Sequence, residues 1–283
     1  MTSSLQEAVR AAVRVLAQAG IQGAEFDAVA LAAHAMGTST SEVRKRMILG
    51  APAPDGLDDL VAERARRVPL QHLTGKAGFR RLELSVGPGV FVPRFETELV
   101  AGLAISHLEG SRGLVVVDLC TGSGAIALAI KDEVPAAEVH GVELSDLAHA
   151  WAVRNRDDLG LDVDIRLGDA TLAFPELDAG VDVVVSNPPY IPVGSIPNDT
   201  EVRDHDPEVA LYGGSADGLR IPLEVAARAA ALLRPGGVFV MEHADVQGGS
   251  LSAALLATGS WGDIRDHEDL NGRPRAVTAV RAR

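Results

Sequence analysis

Residues 114–130 read LVVVDLCTGSGAIALAI. The first six, three of them valine, form a short β-branched apolar run, the pattern of a strand covered on both faces. Two glycines, Gly122 and Gly124, break the run, and from Ala125 onward the apolar residues continue as a helix would. A buried strand that turns through glycines into a helix opens an α/β sheet, and it sets the positive end of the helix beside the carboxyl end of the strand.

On the C-terminal side the same alternation repeats. EVHGVEL (138–144), VDIRLGD (163–169), VDVVVSN (181–187) and GGVFVMEH (236–243) read as strands. LAHAWAVRNRDDLG (147–160) and LRIPLEVAARAAALL (219–233) read as helices between them, the second starting at or just after Pro222. The tail adds one helix (247–259) and two late strands (261–269 and 275–282). The pattern predicts a mostly parallel, Rossmann-like α/β sheet with helices on both faces, binding its ligands at the carboxyl ends of the strands. On the N-terminal side, LQEAVRAAVRVLAQAG (5–20) puts Leu5, Val9, Ala12, Val13 and Leu16 on one helical stripe, and three more helical patterns follow before residue 76. Between the two regions FRRLELSV (79–86) alternates and GPG (87–89) breaks it, which reads as a β-hairpin. The expected organisation is a helical domain over 1–77, a hairpin connector over 78–92 and a catalytic domain over 93–283.

Composition bounds the rest. The 283 residues carry a net charge of −13, which argues against a protein that coats nucleic-acid backbones. The charge is uneven: 10 Lys+Arg face 8 Asp+Glu in 1–80, leaving 16 and 31 for 81–283. A single cysteine, Cys120, cannot pair within the chain and suits a reducing cytoplasm. The first 20 residues carry Glu7, Arg10 and Arg14 and do not read as a signal peptide, and no apolar run approaches a membrane span. The eight histidines show no metal-ligand spacing, so no metal site is expected.

The glycine turn has a specific reading. A G-x-G-x-x-G dinucleotide fingerprint would need glycine at 120, 122 and 125, where the chain has Cys120, Gly122 and Ala125. Asp118 with glycines four and six residues later is instead the arrangement of S-adenosylmethionine-dependent methyltransferases. Glu143 ends the second strand, where a carboxylate can accept both ribose hydroxyls. Asp169 ends the third, where it or Ala170 would lie against the adenine.

The fourth strand runs into SNPPY (186–190). Pro188 and Pro189 have no N–H and a fixed φ, so the turn offers carbonyls without donors. The side-chain oxygen of Asn187 and the carbonyl of Pro188 can each accept one hydrogen of an NH₂ group, with Tyr190 against its flat face. Such a clamp suits a poor nucleophile, an amide or aromatic amine, whose lone pair must be aimed at an electrophilic methyl.

DLCTGSGAIALA (118–129), FVPRFETELV (91–100) and SNPPYIP (186–192) together resemble the HemK/PrmC-type peptide chain release factor N5-glutamine methyltransferases. The likeness extends to RVPLQHLTGKAGFRRLELSV (67–86), DPEVALYGGSADGL (206–219) and LLRPGGVFVMEHADVQG (232–248). It implies methyl transfer from S-adenosyl-L-methionine, leaving S-adenosyl-L-homocysteine, to the glutamine of the GGQ motif in class 1 release factors. It further implies that the helical domain docks the factor; a monomer that contacts neither nucleic acid nor membrane is expected alongside. By motif, Thr121, Gly122, Ser123, Gly124, Ala125, Glu143 and Asn187 would bind the cofactor. Asn187, Pro188, Pro189 and Tyr190 would line the glutamine pocket, with Arg94, Glu96 and Thr97 in support. Three departures stand out: Cys120 for the first loop glycine, Phe95 for a proline in PRPETE, and Ala170 where relatives carry an aromatic residue. The alternatives are glutamine methylation of a large-subunit ribosomal protein, exocyclic-amine methylation of nucleic acid, and a nucleoside-binding regulator without transfer activity.

Overall fold

The structure, a computed structural model, describes residues 3–108 and 113–283; the first two residues of the expected helical domain lie outside it. The chain forms two compact units, Met1–Lys76 with Pro197–His205, and Ala77–Ile196 with Asp206–Arg283.

The first unit holds α1 (Leu5–Gln18), α2 (Ala24–Ala35), α3 (Thr40–Ile48), α4 (Leu57–Ala65) and α5 (Leu70–Thr74). The α1 stripe buries Leu5, Val9, Ala12 and Leu16 against Leu31, Val43 and Leu57. Ser4 starts this helix by accepting from the Glu7 N–H while the Glu7 carboxylate accepts from the Ser4 N–H, a reciprocal cap. The sequence suggested four helices; α5 is a fifth, one turn stopped by Gly75 at φ +72°.

The hairpin of β1 (Lys76–Phe79) and β2 (Leu82–Ser85) begins at the last residue of the first unit's leading segment and continues in the second. It turns at Arg80–Arg81, and GPG lies beyond its second strand. Arginine pairs carry no turn signal; Arg80 takes a left-handed φ of 52° because its N–H reaches Glu98 and its guanidinium is held by Glu133. There follow α6 (Thr97–Leu108), β3 (Val115–Leu119), α7 (Ala125–Glu133), β4 (Glu138–Glu143), α8 (Asp146–Leu159), β5 (Asp164–Leu167) and β6 (Val181–Ser186). After α9 (Thr200–His205) come α10 (Arg220–Leu232), β7 (Leu233–Glu242), α11 (Gly248–Ala257), β8 (Trp261–Glu268) and β9 (Pro274–Arg281). The helix α10 starts at Arg220, two residues before the start the sequence suggested, so Pro222 sits in its first turn, where a missing N–H removes no intrahelical bond.

The sheet has seven strands in the order β5-β4-β3-β6-β7-β9-β8. The first five of these are mutually parallel and β9 runs antiparallel to both its neighbours. Alternation along each strand feeds two cores. Val116, Val139 and Val183 pack with α6 and α7 residues such as Val100, Ile126 and Ile130; Val117, Val142 and Val184 pack with Val225, Leu232 and Leu255 of α10 and α11. The strand order reverses between β3 and β6, and in such sheets ligands bind at that switch point.

Pro197–His205 belongs with the first unit, although the sequence reading had kept all of 93–283 in one domain. Within that unit Arg64 bonds Asp27 at 2.7 Å and Glu201 at 2.8 Å, all three buried, and Arg67 also holds Glu201. Burial alone would raise the Glu201 carboxyl; hydrogen bonding with Asp199, Arg64 and Arg67 outweighs it and holds it well below the usual carboxylate range.

Candidate active site

Register fixes the site. Leu119 pairs with Val142 on one side and Ser186 on the other, and Ser186 pairs with Met241. The next residues along these strands, Glu143, Cys120, Asn187 and Glu242, therefore come abreast at the carboxyl edge of the sheet. Asp169 lies two residues past the end of β5, exposed, with its carboxylate accepting from the Thr171 N–H and hydroxyl. Its neighbour Ala170 is buried and packs with Val142 and Phe174.

Asp118 is fully buried. Its Oδ2 accepts from the Thr121 hydroxyl at 2.6 Å and the Ala127 N–H at 3.2 Å, which ties the strand to both ends of the glycine turn. Burial raises its carboxyl to about 7, the two hydrogen bonds pulling the other way. Among the described residues its Oδ1 has no hydrogen-bond partner. Glu143 spans the turn from the other side, one oxygen accepting from the Gly122 N–H and the other from the Ser145 N–H, each at 2.8 Å. Gly122 has φ +58°, and a Cβ built there would meet nothing within 4 Å. Ser123 is buried beneath the turn, where its carbonyl accepts from Asn155, and Ala125 begins α7 behind Gly124. Cys120 adopts the left-handed region at φ +68°, a conformation its missing glycine would take without strain. Burial and the neighbouring Glu143 and Asp118 push its thiol up, so it stays protonated and is no nucleophile.

The turn after β6 is held from three directions. The Asn187 side-chain nitrogen donates to the Thr97 hydroxyl oxygen at 3.2 Å, which orients the amide and leaves its oxygen to accept. Pro188 is buried. Among the described residues no donor reaches the Asn187 Oδ1 or the Pro188 carbonyl. The Tyr190 hydroxyl donates to Glu242 at 3.0 Å, and burial followed by the Glu242 charge pushes its own pKa up, so the phenol stays protonated. The Tyr190 carbonyl accepts from the Gln247 side chain at 2.9 Å, and Gln247 also donates to the Asp217 carbonyl at 2.8 Å. Gly218 lies so close behind that a Cβ there would come within 2.1 Å of the Tyr190 carbonyl oxygen.

The PRFETE segment divides. Thr97 touches Asn187 directly. Arg94 lies 5.0 Å over the Phe91 ring and bonds Asp206 at 2.7 Å, and Phe95 points outward at 84% exposure. Glu96 acts on the site through its charge, near Arg275 and Glu242. The sequence reading missed Glu242 and Gln247. Their signal was EHADVQ (242–247) at the end of a strand, two polar side chains where the sheet edge meets the site.

A glycine turn and strand-end acids beside an acceptor-only turn, on a seven-stranded sheet of this order, define a class I S-adenosylmethionine-dependent methyltransferase. The fold is shared with the 16S rRNA N2 G1207 methyltransferase of T. thermophilus, solved with AdoMet and guanosine (TM-score 0.53, 24% identity, 74% of this chain and 50% of that one). Residues 7–75 match the model of the PrmC N-terminal domain and residues 81–198 that of the methyltransferase small domain. The release factor glutamine methyltransferase of Streptomyces coelicolor is 49% identical over 100% of this chain and 99% of its own. The 4-amino-L-phenylalanine/4-methylamino-L-phenylalanine methyltransferase of Streptomyces pristinaespiralis is 39% identical over 98% and 95%. The chain belongs to the release factor glutamine methyltransferase family.

Among the described residues no helix is long and apolar enough to cross a membrane.

Proposed function

We propose that the chain transfers a methyl group from S-adenosylmethionine to the side-chain amide nitrogen of the GGQ glutamine in class 1 release factors. The observation that carries the reading is the acceptor pair: Thr97 takes the Asn187 NH₂ as its donor, so Asn187 Oδ1 and the Pro188 carbonyl remain as two acceptors on adjacent residues. They match the two hydrogens of a primary amide. The 49% identity to the Streptomyces coelicolor enzyme supports glutamine as the owner of that amide.

The residues fit the cofactor. The unpartnered Asp118 Oδ1 suits a cationic amino group, the open face of Gly122 admits a ligand against the backbone, and Glu143 keeps lone pairs for ribose hydroxyls. When bound, the cofactor supplies a sulfonium methyl. Asn187 and Pro188 hold the amide hydrogens and favour pyramidalisation, which directs the nitrogen lone pair; Tyr190 and Pro189 bound the pocket. The nitrogen so aimed would take up the methyl group that the cofactor gives up on becoming S-adenosylhomocysteine, and the methylated, cationic nitrogen would then lose its proton to solvent. Tyr190 and Cys120 stay protonated, so neither serves as base or nucleophile. Positioning of this kind contributes up to roughly 7–11 kcal/mol in ideal cases.

In this reading the first unit docks the release factor, and the enzyme works as a monomer in the cytoplasm, where the factors act, without binding nucleic acid itself. The acidic net charge of −13 supports the last point.

A second acceptor remains in play, because an aromatic amine has the same two hydrogens and one relative is named for such a substrate. Initial rates of labelled methyl transfer, measured in parallel on release factor, large-subunit ribosomal protein, RNA and 4-amino-L-phenylalanine, separate the readings. The release factor is expected to lead by orders of magnitude. A faster rate on any other acceptor overturns the assignment.

A further inference from the structure

Glu242 has a position that the chemistry above does not use. It ends β7 one residue past the Ser186–Met241 pair, so it stands beside Asn187 at the edge of the sheet. It is buried, its Oε1 accepts from the Tyr190 hydroxyl at 3.0 Å, and among the described residues its Oε2 has no partner at hydrogen-bond distance. The groups facing it come from each neighbouring element: Thr97 from α6, Tyr190 from the turn, Arg275 from β9 and Glu96 from the segment before α6. Thr97 is also the residue that receives the Asn187 NH₂. One carboxyl thus stands next to both side chains that shape the amide pocket.

We propose that Glu242 is the positioning residue of the acceptor clamp: it fixes the Tyr190 ring, one wall of the amide pocket, through its hydroxyl. The inference rests on the functional reading above and deepens it. Gln247 fixes the other end of the same tyrosine by its carbonyl, so the ring is tied at backbone and hydroxyl before any substrate arrives. Stability does not account for an acid here. Burial raises the Glu242 carboxyl to about 7, against the opposing pull of the Thr97 and Tyr190 hydroxyls and of Arg275, so ionising it in place is costly. Apolar side chains at both 242 and 190, of similar volume, would fill the site without that cost. What the acid adds is direction: an acceptor for a phenol that would otherwise be free to rotate out of the pocket wall.

The test uses the full-length enzyme, saturating S-adenosylmethionine and full-length release factor. Glu242→Leu is expected to lower kcat about tenfold to a hundredfold, the scale of a small misplacement of reacting groups, while Kd for S-adenosylmethionine is unchanged and Tm falls modestly because the Tyr190 hydroxyl loses its acceptor. Glu242→Gln keeps an acceptor for the phenol and is expected to recover most of that loss. Tyr190→Phe breaks the same bond from the other end, so the double variant Glu242→Leu/Tyr190→Phe should lose little beyond the worse single one. Should the leucine variant not fold, Tyr190→Phe alone breaks the bond, and wild-type kcat in that variant overturns the proposal equally. Wild-type kcat in Glu242→Leu, or effects that simply multiply in the double variant, overturns the proposal. A wild-type enzyme that does not methylate the factor overturns the functional reading instead.

Discussion

Asp118 is a carboxyl group sealed into the sheet with one oxygen bonded twice and the other, among the described residues, not at all. Its carboxyl, raised to about 7 from 3.8, stays protonated in the folded chain over a pH range where the unfolded chain has lost the proton. Its contribution to stability is therefore full below pH 3.8, declines as pH rises toward 7, and stays low above. Asp118→Asn keeps an acceptor for Thr121 and Ala127 and removes the charge. The variant is expected to gain in Tm relative to wild type as pH is raised across that window while binding S-adenosylmethionine more weakly, by calorimetry. Equal Tm differences at low and high pH, or unchanged affinity, would contradict the role given to this acid. Asn187→Ala separates the other half of the site: turnover should fall about a hundredfold, the cost of losing one positioning contact, with much of the cofactor affinity kept. At this scale the sequence was informative wherever chemistry and backbone restriction coincide. Asp118, Gly122, Glu143 and NPPY each stood out because a residue type was required at a strand end. Glu242 did not, because nothing local reveals that a strand-terminal acid will face a tyrosine 52 positions earlier.

Elements were legible from their periods, and the misses have identifiable physical causes. The strands β3 to β7 announced themselves by apolar runs, and α1 by its stripe and cap. The hairpin turn was placed at glycines, yet it falls on Arg80–Arg81, where Glu98 and Glu133 supply what a turn-forming residue would have supplied. The helix α9 was invisible as a member of the first unit, since its partners Arg64 and Arg67 precede Glu201 by 137 and 134 residues. That buried ion-pair network makes a sharp prediction. Glu201→Ala leaves Arg64 and Arg67 without their shared carboxylate and should cost about 3–5 kcal/mol by denaturant unfolding, the scale for breaking a buried pair. A cost near zero would mean the pairs are solvated. The sign with pH follows from the lowered carboxyl: the stabilisation is present above pH 4.5 and is lost as pH falls further toward the folded-state value.

At the scale of the molecule, the chain leaves the second unit after Ile196, adds Pro197–His205 to the first, and returns at Asp206. A deletion of residues 1–75 would therefore strip Glu201 of its arginines as well as removing the helices. It is expected to lower Tm and raise KM for the release factor, with the Kd for S-adenosylmethionine held. A truncated protein that methylates the factor with unchanged kinetics would contradict the docking role. The catalytic unit, by contrast, carries both the cofactor turn and the acceptor turn within one sheet edge, and its activity rests on what those acceptors hold. Methyl transfer from labelled S-adenosylmethionine to purified class 1 release factor, alongside a factor whose GGQ glutamine is replaced, tests this most directly. Label is predicted in the unaltered factor, on the amide of that glutamine, and not in the altered one; equal label in both, or none in either from enzyme that binds the cofactor, would contradict it.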